Sequence, residues 1–564
     1  MRVTRGASQV LFGFLPMQTA DLDGRIWRVS EWVDAIALPV DKEAVRSALS
    51  VAVSRWTTAG QDDSLAGELA RKADLDVVAV NPDRGVRVEE YPRLWRCRHC
   101  RRVTKTAEKC ACGGTSGKVQ LTLVQYHACG AQEEPWVPSC RTHHAIALER
   151  TGTTKLSEQR FFCPVCNQTV SWGFIPRQCK CGAGYMNTNV HRAASVYTPH
   201  FVVVVNPPDP AAAARMRAAG GGARALDWAL DGMAETTPFS GKQSVAGLID
   251  MMVKTGISAE TATRLAAQAA EAGEVSDPDS AGPSVDGIEI LALAQEEALS
   301  LATAVEAGRI TLADLIRSAS PPLRSRYEAG YRTALSRARL EAVDFLPTFP
   351  VLTVSFGYSR DHYNQNVSRL VPFRDRGRLR LHGALGRTEA LLFRLDAMAV
   401  EAWLRARGCL GPDKPSSPRE ARVKILNALS AASPIADDVP DADNAVYQLL
   451  HSYAHRTIRR LSAFAGIERD SLSEYLLPSQ LAFVVYAAAK GDFVLGGLQA
   501  VFETTLDTFL ADLVDGEARC PLDPGCRSGG GACMACLHLG EPSCRWFNRR
   551  LDRATLFGPK GYVR

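Results

Sequence analysis

Hydrophobic and polar positions along this chain follow two periods. Between Asn444 and Ala465, the residues Val446, Leu450, Tyr453, Ile458, Leu461 and Phe464 recur every three or four positions. That spacing predicts an amphipathic helix, and Gly466 suits the left-handed residue that ends one. Further helices are expected at residues 41–52 and 498–513. Short apolar runs bounded by turn residues predict strands at 76–80, 201–205, 352–356, 391–395 and 481–486. Residues 211–301 are Ala-rich and read as a mostly helical insertion, broken at Gly220-Gly221-Gly222 and by a linker near Asp277 to Pro283.

One region breaks both periods. From Tyr91 to Tyr185, short segments alternate with Cys-Gly turns, as expected where metal ions replace an apolar core. Of the 16 cysteines, ten lie between Cys97 and Cys181, five between Cys520 and Cys544, and Cys409 stands alone. Such clustering in a chain with no recognisable export signal points to a reducing compartment, hence the cytoplasm, and to metal-bound thiolates. Cys97-x-x-Cys100 with Cys110-x-Cys112 supplies two thiolate pairs for one tetrahedral zinc, and Cys163-x-x-Cys166 with Cys179-x-Cys181 repeats the pattern. His127, Cys129, Cys140 and His143 could form one further site, although this spacing fits no common ribbon. Four of Cys520, Cys526, Cys533, Cys536 and Cys544 are expected to hold another ion, giving about three zinc ions in all.

These readings make the chain an α+β multidomain protein, with zinc-ribbon modules inserted near the N-terminal third and a mixed α/β C-terminal domain carrying a cysteine-rich zinc site. The expected divisions are an N-terminal α/β region at 1–90, tandem ribbons at 91–200, and a strand with the Ala-rich insertion at 201–345. An α/β middle domain at 346–440 and a zinc-binding domain at 441–564 follow.

Charge changes the picture only locally. The net charge of +5 over 564 residues says little, but residues 91–200 hold 15 Lys and Arg against 5 Asp and Glu. Arg93, Arg96, Arg98, Arg101, Arg102 and Lys105 surround the first cysteine set and are candidate contacts to a DNA backbone. No apolar run is long enough to cross a bilayer, so no membrane partner is expected.

The sequence holds no G-x-x-x-x-G-K-[ST] phosphate loop, and Ser240-Gly241-Lys242-Gln243 is not one, so any motor must lie elsewhere. The start of the helix at 498, after Gly496-Gly497, offers either a phosphate cradle or a close-packed turn. His451 and His455 share a helix face, and Arg456, Arg459 and Arg460 follow them as candidate phosphate contacts. With a carboxylate such as Asp552 or Asp492, the two histidines would make a metal-dependent nucleic-acid hydrolase, the competing reading. The general-base glutamate of metallopeptidase helices is missing from His451-Ser452-Tyr453-Ala454-His455, so a non-enzyme is favoured. A zinc-ribbon transcription factor would need a helix-turn-helix that is not recognisable here.

The C-terminal run from Cys520-Pro521-Leu522-Asp523-Pro524-Gly525-Cys526 through Ala532-Cys533-Met534-Ala535-Cys536-Leu537, Glu541-Pro542-Ser543-Cys544 and Asn548-Arg549-Arg550-Leu551-Asp552-Arg553 resembles DrmB of the DISARM anti-phage defence system. Tyr91-Pro92-Arg93-Leu94-Trp95, His191 to Pro199, Phe356-Gly357-Tyr358-Ser359-Arg360 and Leu495-Gly496-Gly497-Leu498 are similar to it too. The first 90 residues and the Ala-rich insertion depart from that family. The resemblance implies a subunit that binds a helicase encoded nearby (DrmA-like) and helps it engage DNA, with a methyltransferase in the same system.

Overall fold

A computed structural model describes the chain from Met1 to Val563, apart from residues 59–62, 150–154, 208–209, 235–237, 239–247, 250–251, 254, 272–286, 362–367, 432–439, 489–494, 517–518, 541–542, 545 and 547. The linker near Asp277 to Pro283, Ser240 to Gln243, and Asp492 lie outside the described residues. The chain divides into two compact units, and neither is continuous in sequence. The first comprises residues 1–204 and 352–385, the second 205–351 and 386–564. This differs from the five consecutive domains expected. The two strands at 340–359 and 378–395 run far beyond the apolar runs that signal them, and each is divided between the units.

The first unit begins with a four-stranded antiparallel sheet ordered Arg2–Val3, Val86–Glu90, Arg25–Trp32 and Thr19–Leu22. Val29, Val86 and Val88 alternate inward from it onto Val10, Leu11 and Leu15 of the first helix and loop. A second core forms where helix Lys42–Thr58 presents Val45, Leu49 and Val53, four residues apart and fully buried. They pack with Leu75 and Val77 of strand Leu75–Ala79, which runs parallel to residues 379–382. Burying each such side chain stabilises the fold by roughly 2 kcal/mol. Residues 91–197 add three small three-stranded or two-turn modules, described below.

The second unit is organised around helix Asp441–Ala465. Five of the six stripe residues, Val446, Leu450, Tyr453, Ile458 and Leu461, are buried, Phe464 is half-buried, and Gly466 closes the helix at φ 65°. Burial goes further than an amphipathic helix requires, because every residue from Leu449 to Thr457 is buried. Strand Leu472–Leu477 pairs with Ala482–Ala487, which in turn pairs with residues 390–394. Phe393 and Phe483 stack at 4.9 Å in that sheet. The Ala-rich stretch is mostly helical where described, at Pro210–Ala218, Gly221–Leu230, Ala259–Glu271 and Ile288–Glu306. The α+β multidomain class with cysteine clusters toward both ends is therefore as expected. No helix among the described residues is long and apolar enough to cross a membrane.

Candidate metal centres

Two kinds of turn carry the ligands of the first unit. In the long turn, the N–H of the leading cysteine donates to the carbonyl five residues on: Cys97 to Arg102 at 2.9 Å, Cys140 to Ala145 at 3.2 Å, Cys163 to Gln168 at 2.9 Å. The N–H four residues on returns to the leading carbonyl, from Arg101 at 3.0 Å, His144 at 2.9 Å and Asn167 at 2.9 Å. Those three residues are left-handed, at φ 64°, 47° and 56°. Positions i and i+3 of each turn supply the ligands, so Cys140-x-x-His143 is the same device as Cys97-x-x-Cys100 and Cys163-x-x-Cys166. In the short turn, ligands at i and i+2 precede a left-handed glycine whose N–H returns to carbonyl i. Gly113 closes on Cys110 at 3.2 Å, Gly130 on His127 at 3.0 Å and Gly182 on Cys179 at 3.0 Å.

The turns assemble into three ligand groups: Cys97, Cys100, Cys110 and Cys112; His127, Cys129, Cys179 and Cys181; and Cys140, His143, Cys163 and Cys166. The first is as the sequence predicts. The other two correct it. Cys163 and Cys166 do not share a site with Cys179 and Cys181, and His127, Cys129, Cys140 and His143 do not make one site of their own. The pairs are nested, the group of Cys140 to Cys166 lying inside the chain span of the group from His127 to Cys181. Pairing neighbours along the chain cannot anticipate nesting, but the shared C-x-x-[CH] and [CH]-x-C-G patterns are a signal that could have done so.

Separations within the groups match tetrahedral coordination. Thiolates at about 2.3 Å from zinc lie about 3.8 Å apart, and a thiolate and an imidazole nitrogen about 3.6 Å. Cys97 and Cys112 are 3.7 Å apart, Cys100 and Cys110 3.5 Å, and Cys129 and Cys179 3.6 Å. His143 Nδ1 is 3.6 Å from both Cys140 and Cys163, and His127 Nδ1 3.4 Å from Cys181. Burial opposes ionisation of Cys97, but the backbone N–H groups of Cys100 and His99 and the neighbouring thiols outweigh it and bring the Cys97 thiol down to about 6. The N–H groups that face the leading cysteines Cys140 and Cys163 lower those thiols in the same way, toward the thiolate that binds metal, whereas burial raises Cys100 and Cys179. Sheet partners fix the turns: Trp95–Cys97 pairs with Val103–Thr104 and Lys118–Gln120, and Arg160–Phe162 with Ala147–Glu149 and Thr169–Trp172.

The buried Arg360 holds the His127 turn in place. Its guanidinium donates to the carbonyls of Gly130 (2.9 Å) and Val196, and lies 5.0 Å above Tyr358. Gly357 is required beside it, since a Cβ there would fall 2.4 Å from the Val371 carbonyl. These contacts give the Phe356 to Arg360 run and the Ser195-Val196-Tyr197 run a structural purpose.

In the second unit, Cys520, Cys526, Cys533 and Cys536 form a fourth group, with sulfur separations of 3.5 Å (Cys520–Cys533) and 3.7 Å (Cys526–Cys536 and Cys533–Cys536). Cys544 is the cysteine left over, and it joins His451, His455 and Glu474 in a fifth group. Asp552 is not part of that group; it accepts the Ala554 N–H at 2.8 Å and caps a short helical turn. The arginines that follow the histidines are engaged within the protein. Arg459 donates to the carbonyls of Met534, Ala535 and His538, Arg460 pairs with Asp512, and Arg456 lies 5.2 Å from the Phe557 ring. The helix start at Gly496-Gly497 is likewise filled by a carboxylate, since Glu389 accepts the N–H groups of Gly496, Leu498 and Gln499 at 3.0, 3.1 and 3.3 Å.

The basic residues around the first group are unevenly available. Arg93 pairs with Glu134 and Arg101 with Glu149, at 3.5 and 2.6 Å. Arg96 is half-buried in strand Trp95–Cys97, and Arg102 is half-buried opposite Ala147. Arg98 and Lys105 are exposed and enter no ion pair among the described residues.

Residues 6–198, which contain all three ligand groups of the first unit, match a domain of unknown function, DUF8724. A stretch of 132 residues is 30% identical to the DISARM protein DrmB of Bacillus paralicheniformis. It covers 21% of this chain and 24% of that protein. The chain is thus similar to DrmB over a limited span, in keeping with the resemblance seen in its sequence motifs.

Proposed function

We propose that this chain is a non-catalytic, metal-stabilised subunit of an anti-phage defence complex, which binds a separately encoded helicase and supports its engagement of DNA. The similarity to DrmB carries this reading. Three features support it. Each of the four cysteine-rich groups offers four protein donors, which closes a tetrahedral ion and leaves no position for substrate. The histidine pair that a hydrolase would need is fully buried together with a carboxylate and a thiol. Arg98 and Lys105 present positive charge beside the first group.

Zinc is the metal that these donors support best, since thiolate and imidazole in a four-coordinate array are its usual ligands. The test is co-purification of the full chain with the helicase encoded beside it, followed by ATPase measurement with and without DNA. The chain alone should hydrolyse no ATP and should raise the DNA-dependent turnover of the helicase. Robust turnover by the isolated chain, or no association with the helicase, would overturn the proposal.

A further inference from the structure

The fifth group has a different character from the other four. His451 and His455 lie one turn apart on the buried helix, Glu474 on strand Leu472–Leu477, and Cys544 in the C-terminal loop. Their exposures are 0%, 0%, 1% and 3%. Both imidazoles are oriented from behind: His451 Nδ1 is 2.7 Å from the Arg549 carbonyl and His455 Nδ1 2.8 Å from the Leu537 carbonyl. A carbonyl only accepts, so each Nδ1 carries the proton and each Nε2 turns a lone pair toward the same point. Around that point Glu474 Oε1 lies 3.1 Å from His451 Nε2 and 3.4 Å from His455 Nε2, and Cys544 Sγ lies 3.3 Å from His451 Nε2. All four ligand atoms fall within 4.8 Å of one another.

Without a cation this cluster is poorly satisfied. Cys544 Sγ accepts the Asn548 N–H at 3.1 Å and lies against the His451 imidazole. Despite the short separations, both Glu474 carboxylate oxygens and His455 Nε2 are buried with no hydrogen-bond partner among the described residues. Leaving three buried polar atoms of this kind unpaired is unfavourable, most of all for a charged oxygen. A divalent ion satisfies all of them at once. Ligands at about 2.0–2.1 Å from zinc put N···O edges near 3.4 Å, against 3.1 and 3.4 Å here.

We propose that His451, His455, Glu474 and Cys544 hold a fifth metal ion, a zinc bound by two imidazoles, a carboxylate and a thiolate. The carbonyls of Arg549 and Leu537 act as the outer partners that fix the imidazole tautomers. The site is closed by four protein donors and walled by Trp546, whose ring lies 5.3 Å from His451, so its role is to fasten the C-terminal loop to the helix and strand. The cluster's geometry, and not the proposed helicase or DNA binding, carries this assignment.

The experiment is a metal count on the full chain purified with excess zinc, together with cadmium-113 spectra of the cadmium-substituted protein. The wild-type chain should carry five equivalents, and Cys544→Ser and Glu474→Gln should each carry four. The cadmium form should give one resonance well upfield of the thiolate-rich four, absent in Cys544→Ser. If either variant does not fold, the wild-type cadmium spectrum still decides. Thiolate-rich resonances alone, with no upfield signal from the nitrogen- and oxygen-rich site, would overturn the proposal and assign the cluster to a histidinium–carboxylate network. Retention of every equivalent by a folded Cys544→Ser would overturn it equally.

Discussion

His382 packs edge-on against Trp32 and Phe373, with ring centroids 4.6 and 4.9 Å away. Burial and then the nearby Arg380 disfavour its charged form, which holds the imidazole pKa down to about 3 from 6.5. The unfolded chain binds a proton as pH falls below 6.5 while the folded chain does not, so this residue's contribution is complete above 6.5 and is lost progressively on acidification toward 3. Between pH 6.5 and 5.5 the loss approaches about 1 kcal/mol. His382→Phe should flatten that part of the stability profile relative to the wild type, as read by thermal unfolding at closely spaced pH values. An unchanged slope would show that His382 is already charged in the folded state. Nothing in the residue's neighbourhood along the chain announces this role. The burial comes from aromatic rings 350 and nine residues away, which converge only in the folded unit.

At the scale of elements, the ligand turns are the most legible features of the chain and also the source of its main misreading. Each turn is a local object, closed by hydrogen bonds spanning at most five residues, so its ligand spacing appears in the sequence. Which two turns come together depends on the sheets that carry them. The hairpin from Leu123–Tyr126 to Gln132–Glu133 presents His127 and Cys129, and its partner strand Asn187–Val190 brings Cys179 and Cys181 alongside. A double variant decides the arrangement. Cys166→Ser with Cys181→Ser should remove two metal equivalents, one from each of two groups, whereas a shared site would lose only one. His143→Ala should cost one equivalent as well, and full metal retention by that variant would contradict the group of Cys140, His143, Cys163 and Cys166. The helix that begins at Gly497 teaches the same lesson in reverse. Its glycines mark the turn, but the carboxylate that fills its start comes from Glu389, more than 100 residues earlier.

For the whole molecule, the proposed DNA contact rests on the basic surface of the ribbon region. Arg98, Arg102 and Lys105 are better probes than Arg93 and Arg101, whose charges are already met by Glu134 and Glu149. Replacing those three with Ala should weaken DNA binding for all sequences alike. It should also flatten the dependence of log affinity on log salt by about 0.9 for each phosphate that is no longer neutralised. Unchanged DNA affinity with lost helicase affinity would reassign the patch to a protein interface. The α+β class, the long helix with its glycine cap, the clustering of cysteines that could hold metal and the likeness to DrmB were all determined by sequence alone. Each depends on periodicity, spacing or composition within a few residues. The nesting of the ribbons, the return of residues 352–385 into the first unit and the gathering of Glu474 and Cys544 onto His451 and His455 were decided only by tertiary structure. Those arrangements depend on strand pairing and burial between segments far apart in the chain, and a ligand's partner is set by distance in space, which spacing along the chain does not encode.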